Sequence, residues 1–416
     1  MSNNMKSYST DFILVVLGQI ISMFGASLVR FALSLYVLDI TGRADIFSTV
    51  YAISNIPRLL MPLGGAIADR FNRRNLMVIY DFSSSFIVLC LFLLMSEGKP
   101  SVVMIGVIMV LLSIISAMYT PSVNASVPLL VDRNKIENAN GIVTAVHALS
   151  DVVAPILGGI LYKAIGVNAL IILSCIAFFL SAVMEIFIKI PFVKRMQEWN
   201  IARTIIKDTK EGFNYVVKQP FILKAMILAG ILNLVLSPLL FVGAPIILRG
   251  IMQSTDTMYG IGLGLISLGA ILGALTIGFF TKKLRMNTLY RWLIAVTLLL
   301  LPIAIAVMPF MLQLGYYPSF ILFIFGIVPI AVILMVLDIF VISKVQKKTS
   351  NENLGKVMAI MMAVAQCAAP IGQVIYGIAF EAFNASAYLP ILFVSAVLVV
   401  VTFAVQRGLK NEVEIN

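Results

Sequence analysis

Residues 319–343 read SFILFIFGIVPIAVILMVLDIFVIS, a long apolar run with a single charged side chain, Asp338. A helix of about 20 apolar residues crosses roughly 30 Å of hydrocarbon, because each residue adds about 1.5 Å. Similar runs recur along the chain of 416 residues, of which 61% are hydrophobic and 12% are charged. An ordinary soluble domain has about 45–50% apolar and about 25% charged residues. The sequence therefore predicts an all-α membrane protein.

Apolar runs bounded by charged or turn residues predict twelve membrane-spanning helices in two six-helix bundles. The predicted spans are 12–40, 47–68, 75–96, 102–128, 138–163, 168–190, 221–247, 258–280, 290–313, 319–343, 355–379 and 387–407. We expect the first bundle to occupy 1–190, a cytoplasmic linker 191–220 and the second bundle 221–416. Apolar residues at roughly helical spacing favour an amphipathic helix within the linker. A mobile linker is the alternative.

Lysine and arginine in the loops predict the orientation of the chain. The tails and the loops after even-numbered spans hold about 23 of the 30 basic residues, and the opposite loops hold about four. The net charge of +11 therefore reports topology, and we expect no nucleic-acid partner. Both termini are expected in the cytoplasm and the first span uncleaved, in a monomeric multi-pass protein of the plasma (cell inner) membrane.

An internal repeat supports two equivalent halves. Residues 137–141 read ENANG and lead to the sequence API at 154–156. A counterpart begins 215 positions later, where ENLG leads to API at 369–371. Spans five and eleven are therefore predicted to be copies. Duplicated halves with a substrate site between them are typical of parallel-repeat transporters.

The end of span two carries a charged loop motif. Residues 64–74 read GGAIADRFNRR, and we attribute the glycines to a tight turn at the membrane surface. The charged side chains are expected to lock neighbouring helix ends together in one conformation and to release them in another. Positive-inside charge alone would explain the arginines, but it would not explain the aspartate. The candidate gating residues are Gly65, Asp69, Arg70, Arg73 and Arg74.

Span five carries small residues at helical spacing. They predict one face on which another helix approaches closely, and the proline leaves a helix carbonyl without its usual partner and favours a kink. Plain packing within a membrane bundle is the alternative. The residues concerned are Gly141, Ser150, Ala154, Pro155, Gly158 and Gly159.

These two motifs resemble those of the major facilitator superfamily. The loop is similar to Gly-x-x-x-Asp-Arg-x-Gly-Arg-Arg with Asn72 in place of the second glycine, a position where Asn tolerates left-handed backbone. Span five is similar to the antiporter motif of exporting members, with Ser150 and Ala154 in place of two glycines. The segment 119–131, YTPSVNASVPLLV, resembles macrolide-efflux-type transporters. The resemblance implies two bundles that rock around a central site and export their substrate.

Charged residues within spans are the candidates for proton coupling, since each costs about 2.5–3.5 kcal/mol on insertion. Separating an aspartate from an arginine would favour proton binding, and closing the pair would favour release. A permanent ion pair is the alternative. Drug–proton antiporters often carry an arginine in span four, where this chain has Leu112, so another arginine would have to substitute. The candidates are Asp151, Asp81, Arg58, Arg30, Asp338 and His147. Glu185 and Lys189 are read as an interfacial pair.

The motifs that are missing exclude other classes. The sequence has no phosphate-binding Gly-x4-Gly-Lys-Ser/Thr loop, and its single histidine disfavours a histidine metal centre or a serine hydrolase. We therefore expect no enzyme, no cofactor and no metal, with the proton gradient as energy source. The preferred substrates are small amphipathic compounds such as macrolides, with Asn124 and Gln366 as weak cavity candidates. Alternatives are a siderophore or lysolipid exporter, a nutrient symporter, or a membrane receptor.

Overall fold

The computed structural model describes residues 9–68, 70–98, 100–132, 136–190, 201–281, 284–349 and 351–409. These residues form α-helices and short helical turns, and no strand occurs among them. The α-helices are α1 Thr10–Thr41, α2 Ala44–Asn55, α3 Met61–Ala68, α4 Arg73–Glu97, α5 Val102–Leu130, α6 Ile136–Ile186, α7 Ile201–Lys218, α8 Pro220–Val235, α9 Asp256–Thr281, α10 Leu289–Ala306, α11 Pro309–Gln313, α12 Tyr316–Lys348, α13 Asn351–Ala382 and α14 Tyr388–Leu409.

The predicted all-α membrane fold is confirmed. Ten helices of the described chain are long and apolar enough to cross a membrane. Two further spans escape that count because of local breaks and joins. The predicted span 47–68 is divided into short pieces, and the predicted spans 138–163 and 168–190 are joined in α6. The described helices are therefore consistent with twelve membrane-spanning segments.

Span two is divided because its middle departs from α-helix. A 3-10 turn, Ile56–Leu60, lies between α2 and α3 and carries Pro57 near its start. The glycines that follow lie inside α3 and form no turn, so that part of the loop prediction is wrong. A Cβ at Gly64 would lie 2.7 Å from the carbonyl oxygen of Ala117, whereas nothing lies within 4 Å of one at Gly65. Gly64 is therefore required for the close approach of α3 to α5.

Spans five and six are joined at a single glycine. Within α6 the backbone leaves helical torsion angles at Gly166, where φ is 78° and ψ is 172°. A positive φ of this kind strains residues with a Cβ, which explains a glycine at the join. At Pro155 the helical torsion angles are retained, so the proline does not break the helix. The repeat extends to the structure, since Pro155 and Pro370 each lie within a helix, α6 and α13.

Contacts divide the chain into two units. The first contains residues 1–40 and 53–201, and the second contains 41–52 and 202–416. The sequence places 41–52 in the first half, yet these residues pack with the second unit. The domain boundaries 1–190, 191–220 and 221–416 stay a prediction. Helix α7 lies within the segment predicted as a linker, and in it Val216 is buried while Phe213 is exposed.

The orientation of the chain can be tested by cysteine labelling. We expect a cysteine at position 200, outside the described residues, to react only after the cells are opened, because loop charge places that segment in the cytoplasm. Cys367 is exposed, so the experiment requires a variant in which it and the other native cysteines are replaced by serine. Reaction of position 200 with an impermeant thiol reagent outside intact cells would reverse the predicted orientation.

Candidate functional site

Asp81 is a carboxylate buried in the first unit. It lies two turns into α4, and only 2% of its surface is exposed. Its Oδ1 accepts a hydrogen bond of 2.8 Å from the hydroxyl of Ser22 in α1. Its Oδ2 is buried and has no hydrogen-bond partner in the described chain. The structure therefore places one of the predicted coupling residues inside the bundle core.

Glu185 is a second buried carboxylate beside it. This residue is fully buried near the end of α6, and its Oε1 accepts a hydrogen bond of 2.8 Å from the hydroxyl of Tyr119 in α5. Its Oε2 is buried without a partner among the described residues. The predicted interfacial pair with Lys189 is wrong, because α6 ends at Ile186 and the exposed Lys189 lies beyond the helix.

Helix α1 approaches α6 closely at this cluster. The hydroxyl of Ser181 donates a hydrogen bond of 2.9 Å to the carbonyl oxygen of Gly18. A Cβ added at Gly18 would lie 3.4 Å from both the Ser181 hydroxyl and Cγ of Glu185. Small residues allow such contacts between membrane helices. Four helices, α1, α4, α5 and α6, therefore contribute side chains to one buried polar cluster, which we call the carboxyl cluster: Ser22, Asp81, Tyr119, Ser181 and Glu185.

The arginines of the loop motif bind helix carbonyls within the first unit. Arg73 donates hydrogen bonds of 3.0 Å to the carbonyl of Ala68 and 2.7 Å to that of Ala125. Arg74 donates one of 2.5 Å to the carbonyl of Ile186. Ala68 and Ile186 end their helices, where carbonyls lack helical partners and favour cations. These two arginines therefore brace the ends of α3, α5 and α6.

The other residues of the loop motif behave differently. Asn72 has φ −63° and is not left-handed; its side chain caps α4 by accepting from the backbone amides of Arg74 and Asn75. Helix capping therefore explains why Asn72 stands where the motif that this loop resembles has a glycine. Arg70 is partly exposed, and its backbone amide donates to Ile67. Asp69 lies outside the described residues, so its gating role stays a prediction.

Arg73→Ala should destabilise the first unit by about 2–4 kcal/mol, since it removes hydrogen bonds from a charged donor to two carbonyls. Thermal unfolding of the purified protein in detergent measures the effect. Arg407→Ala provides the matched control, because Arg407 is exposed in the last turn of α14. Equal unfolding temperatures for the two variants would contradict the bracing role of Arg73.

The predicted small-residue face of span five contacts α1. Ala154 is fully buried with Leu28 and Ala32 of that helix. A Cβ at Gly158 would lie 2.7 Å from the ring of Phe31. Ser150 and Gly159 are buried, and Pro155 is half-buried. The side chains of His147 and Asp151, and the surroundings of Gly141, lie outside the described part of the structure.

The remaining candidates do not join the carboxyl cluster. Arg58 lies in the 3-10 turn between α2 and α3, and Arg30 is half-buried in α1. Asp338 is exposed on α12 of the second unit. The predicted pair of Asp151 and Arg58 stays a prediction. Of the two cavity candidates, Asn124 is exposed on α5 and Gln366 is half-buried on α13.

In the second unit, residues 41–52 pack on α13. The backbone amide of Ala44, at the start of α2, donates a hydrogen bond of 2.8 Å to the carboxylate of Glu381. A carboxylate satisfies the free amides at a helix start and is favoured by the helix dipole. One turn earlier in α13, a Cβ added at Gly377 would overlap Ser48. This segment, 41–52, is called the docked segment below.

An exposed ion pair begins the docked segment. The Arg43 guanidinium and the Asp45 carboxylate form an ion pair in which Nη2 lies 2.6 Å from Oδ2. The hydrogen bond from the Arg43 guanidinium holds the pKa of the Asp45 carboxyl below its usual range. Exposed ion pairs contribute little to stability, so this pair orients the start of α2 and does not stabilise it.

Among the described residues, no group of three or more His, Cys, Asp or Glu is placed to hold a metal ion.

Sequence reasoning missed the carboxyl cluster because Glu185 stands near a lysine at the end of an apolar run. A usable signal was present. Ser174, Ser181 and Glu185 recur at helical spacing on α6, and Gly18, Ser22 and Gly25 recur on α1. Two stripes of small and polar residues predict a close contact between membrane helices. A carboxylate within such a stripe should have been placed in the core.

A family model matches residues 15–373 of this helical membrane protein. The chain belongs to the Major Facilitator Superfamily. It is 22% identical over 377 residues to macrolide efflux protein A of Streptococcus pyogenes, covering 89% of each chain. It is also 23% identical over 317 residues to macrolide efflux protein A of Enterococcus faecalis, covering 75% of this chain and 93% of the relative.

Solved transporters share the fold at low sequence identity. A variant of the nucleoside transporter NupG is 14% identical, with a TM-score of 0.75 over 96% of this chain and all of that one. A bacterial homologue of the iron transporter ferroportin is 19% identical, with a TM-score of 0.68 over 94% of this chain and 98% of that one. Identities this low show the fold alone. The chain is a membrane transporter and not an enzyme.

Proposed function

We propose that this protein exports small amphipathic compounds from the cell, with macrolide-like drugs as the favoured substrates. The observation that carries the proposal is the match to macrolide efflux proteins over 89% of both chains. The similarity extends through both units and is therefore not confined to one shared motif. The small-residue face of span five, in contact with α1, supports export over uptake because the antiporter motif that it resembles belongs to exporting members of the family.

Proton antiport supplies the driving force in this proposal. One proton crossing about 100 mV and one pH unit releases roughly 2.3 plus 1.4 kcal/mol, which sustains a substrate gradient of several hundredfold. Buried carboxyl groups in the first unit support this proposal, since ionisable residues inside membrane proteins commonly form proton relays. The protein is expected to act as a monomer in the plasma membrane with both termini in the cytoplasm.

An efflux assay tests both parts of the proposal. Cells that lack other drug pumps are loaded with a radiolabelled macrolide, and its loss is followed with and without a protonophore. We expect the protein to increase macrolide efflux several-fold and the protonophore to abolish the increase. A panel containing a siderophore, a lysolipid and sugars distinguishes the alternative substrates. Efflux of none of the macrolides would reject the substrate class, and efflux unaffected by the protonophore would reject proton antiport.

A further inference from the structure

The carboxyl cluster places two acids together without a described cation. Asp81 and Glu185 are close enough to interact electrostatically, and each is at most 2% exposed. No lysine, arginine or histidine of the described chain forms an ion pair with either of them. The other groups facing them are Tyr119 from α5 and, from α1, only uncharged residues. Two negative charges in this buried cluster would repel each other, and no described cation would offset the repulsion.

We propose that Asp81 and Glu185 together form a site that binds and releases a single proton. The proton comes from water, forms an O–H bond with one carboxylate oxygen and returns to water when that bond breaks. No other bond changes. The loaded pair carries one negative charge and the empty pair carries two. The empty pair is therefore the costly state, and the surrounding helices stabilise it by hydrogen bonding.

The hydrogen bonds of the cluster suit this role. Ser22 donates to Oδ1 of Asp81, and Tyr119 donates to Oε1 of Glu185. The second oxygen of each acid, Oδ2 and Oε2, is the one without a partner in the described chain. Buried polar atoms are nearly always hydrogen-bonded, so two orphaned oxygens on neighbouring acids need a partner. A proton on one of them turns that oxygen into a hydrogen-bond donor.

Loading the site would act on helix packing. The cluster joins side chains from four helices, and α1 meets α6 there through Gly18. A change of one charge inside a packed core alters the preferred arrangement of such helices. This step, from proton binding to coupling, rests on the proposed proton-driven export. The existence of the proton site does not, because it can be measured without substrate or transport.

Infrared difference spectroscopy of the purified protein in lipid tests the site directly. The C=O stretch of a protonated carboxyl group is separate from the bands of carboxylates. We expect one such band to grow as the pH is lowered between about pH 9 and pH 5. The double variant Asp81→Asn/Glu185→Gln should remove it, whereas each single variant, which lacks the like charge of the second acid, should shift its appearance to lower pH. Asp45→Asn is the matched control in the second unit and should leave it unchanged, because the Arg43 guanidinium holds the pKa of the Asp45 carboxyl below its usual range.

A milder variant keeps the test decisive if either amide variant fails to fold. Tyr119→Phe retains both acids and removes the hydrogen bond to Glu185, so the band should remain and shift to higher wavenumber. A band that is present at every pH would overturn the proposal in favour of a permanently protonated structural pair. A pH-dependent band that survives in the double variant, or that keeps the same midpoint in both single variants, would place the proton elsewhere. Failure of macrolide efflux alone would reject only the proposed function.

Discussion

Gly377→Ala should slow efflux at least tenfold while leaving the amount of protein in the membrane unchanged. An added methyl group would overlap Ser48 and lie 3.0 Å from the carbonyl oxygen of Ala44, so the docked segment could not reach its place on α13. We expect transport to need this contact, because helix packing must be kept as the bundles move in the proposed alternating-access cycle. A steric cost of about 1.4 kcal/mol is enough to shift the equilibrium tenfold against this contact.

A double-mutant cycle separates this steric effect from general damage. Ser48→Gly removes the overlap with the Ser48 side chain and leaves the contact with the Ala44 carbonyl, so the double variant should recover part of the lost rate. Ile378→Ala is the positional control, because Ile378 is the next residue of α13 and is exposed. Efflux is measured in cells lacking other pumps, with protein quantified by immunoblot. A normal rate in Gly377→Ala would show that the close contact is not needed for transport.

Asp151→Asn should abolish efflux against a gradient while substrate exchange survives. The substitution keeps the shape of the side chain but removes its titration, and an ionisable residue near the middle of span five requires a partner or a proton. The expected result is a fall in the sustained macrolide gradient from several hundredfold to about one. Paired measurements in proteoliposomes, one of pH-driven uphill transport and one of exchange without a pH gradient, separate coupling from binding.

The Glu185→Gln variant makes the comparison informative. If uphill transport fails in Asp151→Asn and persists in Glu185→Gln, coupling depends on Asp151 and does not require Glu185. If both variants lose uphill transport and keep exchange, the carboxyl cluster takes part in coupling. Full uphill transport by Asp151→Asn would remove that residue from the coupling mechanism and leave Asp81 as the next candidate.

The sequence predicted the helices well because the bilayer imposes one requirement on every span. Runs such as 319–343 must be apolar and long enough to cross, and that requirement is visible without an alignment. The sequence did not show the division of span two or the join at Gly166, because both depend on backbone angles within apolar runs. It also assigned Gly64 and Gly65 to a turn, whereas both lie inside α3 and helix packing decides the role of Gly64.

The candidate site was harder to predict because packing decides which polar residues meet. Asp81 was identified from its position within a span, since a buried acid requires a reason. Glu185 was misread because the position where α6 ends decides whether the acid faces Lys189 or the core. Arg73 and Arg74 were recognised as a motif, but their acceptors are backbone carbonyls, which no side-chain pattern reveals.

The docked segment also affects how the polypeptide folds. Residues 41–52 are synthesised long before α13, yet the carboxylate that satisfies the first amide of α2 is Glu381 of that later helix. During synthesis this helix start must therefore wait for a partner more than three hundred residues away. A gene cut within 191–220 would separate the two. With a cut after residue 201, the N-terminal product contains the whole first unit, whereas the C-terminal product lacks the docked segment. Only co-expression of both pieces would then complete the second unit.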